Sequence, residues 1–548
     1  PSHPPASPPA PPPPPPPDLP VMEELTDADA FRFMQQATFG ASSDDLDDLM
    51  QKGINTWLVE QLIEPTVDYT PRIQEQSASR NVNAQDIKTL FWERAVYGDD
   101  QLRQRIAYAL SQIVVTSLAD AAVGTYPAPF GVYADVLQRN ALGNYCTMVR
   151  EVSFNPIMGL YLTHLGNRRE DPVNGFVPDE NYAREVMQLF TIGLEELNLD
   201  GTPTGEETYT NEDIAGLAQV FTGLSWADTD FDRPRISDNN RFLPMESFRA
   251  QHEDRPKTFL GSTINLGDDA VVSINAALDV LLEHPNVAPF ISKQLIQKLV
   301  TSNPSPEYVE RVATAFNAGQ TYLSDGTLIG SGQRCDLAAT AAAILIDPEA
   351  RGEPEDDDFG KLRSPLLRAA HLLRAYRVEK DVSTSGPLPS GRNLVNLEEE
   401  NRLLQNVFTA PSVFNYYRPG FVAPGTESAD RGLVTPEFQL ATTSGLVAYI
   451  NTMEFLIEEK GAAPDGNVMV AELDYSDLEA LADQPAALVD RVDQVLVGGT
   501  LPDDTKALIA EAVDEIFINP SNEQVGRGLR TQVALLMAVV SPEYVVQR

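Results

Sequence analysis

The sequence NPIMGLYLTHLGNRREDPVNGFVPDENYAREVMQLFTIGLEELNLDGTP spans residues 155–203, and after a short spacer YTNEDIAGLAQVFTGLSW spans 209–226. Three helices are written into it. Asn155 caps the first, Pro156 takes its first position, and Ile157, Leu160, Tyr161 and His164 recur on one face. The second starts near Asp179 and stops at Gly193, with Tyr182, Val186, Leu189 and Phe190 turned inward. Thr210 and Asp213 stand in capping-box spacing at the head of the third, whose apolar stripe is Ile214, Leu217, Ala218 and Phe221.

The polar side of the second helix is crowded. Glu180 and Arg184 are four residues apart, as are Asn181 and Glu185. One reading is a capped, salt-bridged helix start, with acidic residues favoured by the macrodipole. The other is a polar centre in which Asp179, Glu180 and Glu185 supply carboxylates, His164 carries a proton and Arg184 holds an anion, so that the site binds a metal or performs acid–base chemistry. Glu185 immediately precedes Val186 on the buried stripe, which predicts a core-boundary carboxylate facing Arg184, Arg168 or Arg169. Stripping such a group of its partner costs on the order of 3 kcal/mol when buried.

PDENYAREVMQLFTIG and YTNEDIAGLAQVFTGLSW closely resemble the signature of the bacterial domain-of-unknown-function 1800 family. RFMQQATFGAS (32–42), DQLRQRIAYALSQ (100–112), HPNVAPFISKQLIQKLV (284–300), LRSPLLRAAHLLRA (362–375), APSVFNYYRPGFVAPG (410–425) and SPEYVVQR (541–548) are similar to it as well. The resemblance covers nearly everything after the proline-rich segment and supplies no reaction. Many members carry His where this chain has Phe190, a departure that counts against a catalytic role there. The resemblance also implies a protein partner, because members are often encoded beside the domain-of-unknown-function 1501 family, whose fold resembles alkaline phosphatases and sulfatases.

Asp and Glu number 80 against 40 Lys and Arg, a net charge of −40. Phosphate binding needs clustered positive charge, so this balance argues against nucleic acid and anionic lipid surfaces as partners. It fits a solvated acidic surface and could attract divalent cations. An apolar content of 42% is that of a globular chain, and no stretch reaches the roughly 18 apolar residues of a membrane span. A chain that begins at Pro1 reads as the product of cleavage, which points to a secreted, extracellular or periplasmic protein. Cys146 and Cys335 are too few for a disulfide framework. In an oxidising compartment they are a candidate pair closing a loop of roughly 190 residues.

Residues 1–20, PSHPPASPPAPPPPPPPDLP, are a proline-rich tail that pre-sets polyproline II. Such a segment docks in an aromatic-lined groove at little entropic cost. The rings of Phe408, Phe414, Tyr416, Tyr417 and Phe421 could provide that groove on a neighbouring copy, making the tail an assembly arm and the protein an oligomer. Beyond the tail the pattern is mostly α, with small β hairpins in insertions. Residues 21–350 form an N-terminal helical region and 351–548 a C-terminal one, divided at the acidic run 351–360 and expected to share one body. Arg94, Arg103 and Arg105 stand out as cations, with a surface ion pair as the default reading and a buried pair with a carboxylate as the alternative. Residues 227–275 lose periodicity and read as a long surface excursion, in which His252, Glu253 and Asp254 form an exposed turn or ligate a cation.

There is no G-x-S-x-G elbow, P-loop, H-E-x-x-H helix or Rossmann fingerprint. His284, before Pro285, reads as a helix cap. His371, among Leu367, Leu372 and Leu373, reads as a core histidine. Glu196, Asn198, Asp200, Thr202, Thr204 and Glu207 fall at the six ligand offsets of a helix–loop–helix calcium loop, with Gly201 at the turn. An Asp-Gly hairpin is the competing reading. Two functions stay open: a non-catalytic secreted or cell-envelope protein acting by binding or assembly through its tail, and a hydrolase or other acid–base enzyme at Asp179, Glu180 and Glu185, possibly metal-dependent.

Overall fold

The helices of the signature begin where their capping residues stand. In the computed structural model, which describes residues 25–265, 269–352, 358–379, 403–460 and 471–548, the Asn155 side chain accepts from the Ile157 amide at 2.9 Å and opens the helix Pro156–Tyr161. Thr210 and Asp213 form a reciprocal capping box on Asn211–Val220. Asn181–Gln188 lies between them, with Tyr182, Val186 and Phe190 in the core. His164 departs from expectation. The first helix ends at Tyr161, Thr163 takes a left-handed φ of 62°, and His164 turns inward beyond the helix rather than along its face. The proline-rich tail lies outside the described residues.

Helices dominate, and the strands form five two-stranded antiparallel sheets among the described residues. No helix there is long and apolar enough to cross a membrane. Buried apolar side chains fall into two clusters. The first runs from Ala30 to Ala350 in sequence. The second joins Phe39, Phe91, Trp92 and Tyr108 to Leu366, Leu372, Tyr449, Leu535 and Tyr544, so the C-terminal residues pack onto aromatic side chains of the N-terminal half. The helix Pro365–Ala375 is buried on every side. Its His371 stacks on Tyr544 with ring centroids 5.5 Å apart, a core histidine as its leucine neighbours predict, but neither ring nitrogen has a hydrogen-bond partner among the described residues. Gly40 has a φ of 118°, and a Cβ there would lie 2.3 Å from the His371 ring. Only glycine fits on both counts.

The helix Val287–Leu299 ends inside the protein. A helix leaves its last four carbonyls without intrahelical partners, and burial makes each a liability of about 1–3 kcal/mol if unmet. Lys361 Nζ donates to the carbonyls of Gln297 at 2.6 Å and Lys298 at 3.1 Å. Arg105 Nη2 donates to Lys298 O at 2.7 Å. Gln547 Nε2 meets Leu299 O at 2.7 Å and Val300 O at 3.0 Å. Gln547 is delivered by a short strand, Val546–Gln547, paired antiparallel to Lys361–Leu362. Arg94 likewise serves carbonyls, those of Leu90 and Val67. The buried arginines 94 and 105 therefore face backbone oxygen rather than the expected carboxylates, while Arg103 keeps a carboxylate neighbour, Asp100, at 3.7 Å.

Cys146 and Cys335 are joined, with Cα atoms 5.7 Å apart and a separation of 189 positions in sequence. The bridge sits in a polar clasp, in which Tyr145 N donates to Cys335 O and Leu337 N to Gly143 O, each at 2.8 Å. On the chain-entropy account a loop of this length stabilises by on the order of 5 kcal/mol. The double variant Cys146→Ser/Cys335→Ser is expected to unfold at a clearly lower urea concentration than the wild type. Coincident unfolding curves for the two proteins would show that the bridge contributes nothing.

Candidate functional site

The acid–base set read from the signature does not assemble. His164 is fully buried. Its Nε2 lies 3.0 Å from Ser153 O, and its ring packs on Tyr182 with centroids 3.9 Å apart. Burial holds it neutral, with a pKa of about 4. Asp179 instead starts the second helix: its Oδ1 accepts from the Asn181 amide at 2.9 Å and from Thr163 Oγ1 at 2.7 Å. Glu180 and Arg184 form a half-exposed i,i+4 pair at 3.4 Å, the salt-bridged helix start of the first reading.

Glu185 corrects its own prediction. It is buried at 7% exposure, but none of the three arginines proposed for it is its partner. Arg168 pairs with Asp232, Arg169 with Asp254 and Arg184 with Glu180. Its buried Oε2 has no hydrogen-bond partner. Burial, opposed by the nearby Arg184 charge, raises its pKa above the ordinary glutamate range. The carboxylate acts on Tyr161 and Tyr209, whose hydroxyls burial already pushes up to about 12. It does not face His164.

The proposed calcium loop is a hairpin. Strands Glu195–Leu197 and Pro203–Glu207 pair antiparallel, with Glu195 opposite Glu207 and Leu197 opposite Pro203. Gly201 turns the chain at a φ of 74°, and Asp200 Oδ1 accepts from the amide and hydroxyl of Thr202 at 2.9 and 2.6 Å. A helix–loop–helix loop directs alternate side chains to one centre; a hairpin spreads them along two strands. Glu196 accordingly faces His284 at 3.7 Å, and Asn198, Asp200, Thr202, Thr204 and Glu207 do not converge with it. Among the described residues no group of three His, Cys, Asp or Glu side chains stands close enough to hold a metal ion.

His252 and Glu253 are buried, against the expected exposed turn. His252 Nδ1 lies 2.9 Å from Thr222 O and its Nε2 3.0 Å from Ser273 Oγ. Burial would raise Glu253, but hydrogen bonds from Arg255 outweigh it and hold the carboxyl at about 2. These groups tie the 227–275 excursion to the body. Only Asp254 stays exposed, in its pair with Arg169.

A site with room for a ligand lies elsewhere. A cleft of about 890 Å³ opens between the end of the second signature helix, the 195–207 hairpin, the helix Val287–Leu299 and residues 413–434. Phe290, Phe414 and Phe421 line it, with the amides of Gln112, Gln188, Gln294, Gln297 and Asn303 and the cations Lys293 and Arg418. Gln297 and Asn303 are engaged with the carbonyls of Ser302 and Val434. Gln294 Nε2 is buried and has no partner. The irregular 408–421 segment thus contributes two of its five predicted rings. Phe408 packs in the core against Phe130, Tyr416 bonds Thr409, and Tyr417 is buried behind the cleft wall. The sequence offered no signal for Gln294, because an amide facing a cleft and one facing solvent share the same helix pattern.

An α-helical body with an aromatic and amide-lined cleft is thus the class of protein the described residues define. The chain matches the family described as "Protein of unknown function (DUF1800)" over residues 32–546 and belongs to it. No curated protein and no solved structure matches the chain.

The raised carboxyl of Glu185 fixes the sign of a pH effect. A native pKa above the unfolded value means that the folded state loses stability as pH rises from the unfolded through the folded pKa. Glu185→Gln is therefore expected to match the wild type at pH 4 and to exceed it at pH 7.5, by on the order of 1–2 kcal/mol. Urea unfolding at both pH values checks this; a variant less stable at pH 7.5 would show that the ionised carboxylate has a stabilising partner.

Proposed function

We propose that this chain is a non-catalytic binding and assembly protein of the cell envelope or extracellular space, whose cleft takes an extended proline-rich segment. The observation that carries the reading is the pairing of three phenylalanine rings with the unpartnered amide of Gln294 in one cleft. Prolyl residues present apolar rings and carbonyl acceptors and have no amide to donate. Aromatic faces and side-chain N–H donors complement them. Residues 1–20 of a neighbouring copy are such a segment. A partner of the domain-of-unknown-function 1501 family, implied by the sequence resemblance, is the alternative source. The Cys146–Cys335 bridge supports an oxidising compartment.

An acid–base enzyme working through Glu185 is the second reading. Its support is the buried carboxyl without a hydrogen-bond partner beside Tyr161 and Tyr209. A hydrolytic activity abolished in Glu185→Gln at unchanged fold would favour it over binding.

The binding reading is tested with a peptide of residues 1–20 and with the chain lacking them. The wild type is expected to bind the peptide, and Phe421→Ala to bind it about tenfold more weakly, the equivalent of about 1.4 kcal/mol. Light scattering is expected to show an oligomer that falls to a monomer when residues 1–20 are removed. A monomeric wild type that ignores the peptide would remove the reading.

A further inference from the structure

Behind the cleft lies a buried group of cations that the binding reading does not use. Arg105 is 1% exposed and Lys298 4%. Arg105 Nη2 and Lys361 Nζ both donate to the Lys298 carbonyl, so the three residues meet at one helix end. Lys361 has a counter-charge, Glu437, at 2.7 Å. Among the described residues Arg105 and Lys298 form no ion pair. The Lys298 ammonium lies over the Tyr417 ring, 4.7 Å from its centroid. Arg105 Nε and Nη1 are buried and have no hydrogen-bond partner.

A buried guanidinium with two unused donor nitrogens is costly unless a negative or polar group meets it. The carbonyl-serving role that explains its Nη2 does not reach its Nε and Nη1. After burial itself, Tyr108 and Tyr417 are the groups that act most on Arg105. Burial, opposed by Glu437 and reinforced by Lys361 and Arg105, lowers Lys298 to about 7, where an arriving anion would favour the ammonium form. Tyr417 donates to Gln112 Oε1 at 2.9 Å, and Gln112 lines the cleft. The cations therefore stand one side chain behind the cleft surface.

We infer that Arg105 and Lys298 form a binding site for a small oxyanion, a phosphate or carboxylate group, entered from the cleft past Gln112 and Tyr417. Guanidinium and ammonium donors complement oxygen anions of this kind.

Inorganic phosphate and acetate, each titrated at fixed pH and ionic strength, distinguish the phosphoryl from the carboxylate source. The full-length wild type is expected to bind one of them saturably, near one per chain by calorimetry. Its melting temperature should rise by about 2 °C at a hundredfold excess over Kd. Lys298→Met is expected to lose at least about tenfold in affinity and most of the thermal shift. No saturable binding of either anion by the wild type, or equal binding by Lys298→Met, overturns the site. Should Lys298→Met fail to fold, acylation of wild-type Lys298 by a small reagent, read by mass spectrometry, takes its place. Protection by phosphate or acetate supports the site, and equal labelling with and without the anion overturns it.

Discussion

The end of the helix Val287–Leu299 is the constraint on which the two halves of the chain depend. Its final carbonyls are buried, and a buried carbonyl must be met. None of the groups that meet them is local: Arg105 lies 193 residues away from Lys298, and Gln547 lies 248 residues from Leu299. Helix, early arginine, mid-chain lysine and late strand must coincide for any one of them to be satisfied. The helix dipole, negative at this end, favours the two cations. Apolar packing brings the halves into contact, but it is indifferent to small shifts. Hydrogen-bond geometry at this helix end fixes their register.

The same pattern recurs through the interior and bears on the net charge of −40. Arg374 reaches the carbonyls of Gly40 and Val96, and Arg530 those of Ile516, Ala482 and Asp514. A guanidinium offers five N–H donors in a rigid plane and so can end several turns or helices at once. With many of its few cations inside, the chain leaves its carboxylates to face solvent. The acidic surface is therefore partly a result of where the positive charges are needed.

Local rules were legible in the sequence, and long-range ones were not. Asn155, Thr210 and Asp213 act within four residues of themselves, so their spacing alone announces the helices they cap. His164 was misplaced because nothing marks Thr163 as left-handed, a conformation more usual for glycine. The Glu196–Glu207 segment satisfies the offsets of a calcium loop and the turn chemistry of a hairpin equally, and only the pairing of its flanks separates them. Glu185 could be placed at the core boundary from its neighbour Val186. Its missing partner could not be read, since Arg168 and Arg169 are claimed by residues distant in sequence and Arg184 by Glu180 one turn earlier. The cleft is least legible of all, being assembled from Gln112, Phe290 and Phe421 across three remote stretches.

The strand Val546–Gln547 carries a consequence for biosynthesis. At roughly 5–20 residues per second, about 12–50 s pass between synthesis of Leu299 and of the glutamine that covers its carbonyl, from the 248-residue separation. Throughout that interval the helix end is open to water or to other chains. A holding chaperone, or slow docking of the helix until the strand arrives, would keep the nascent polypeptide from aggregating there.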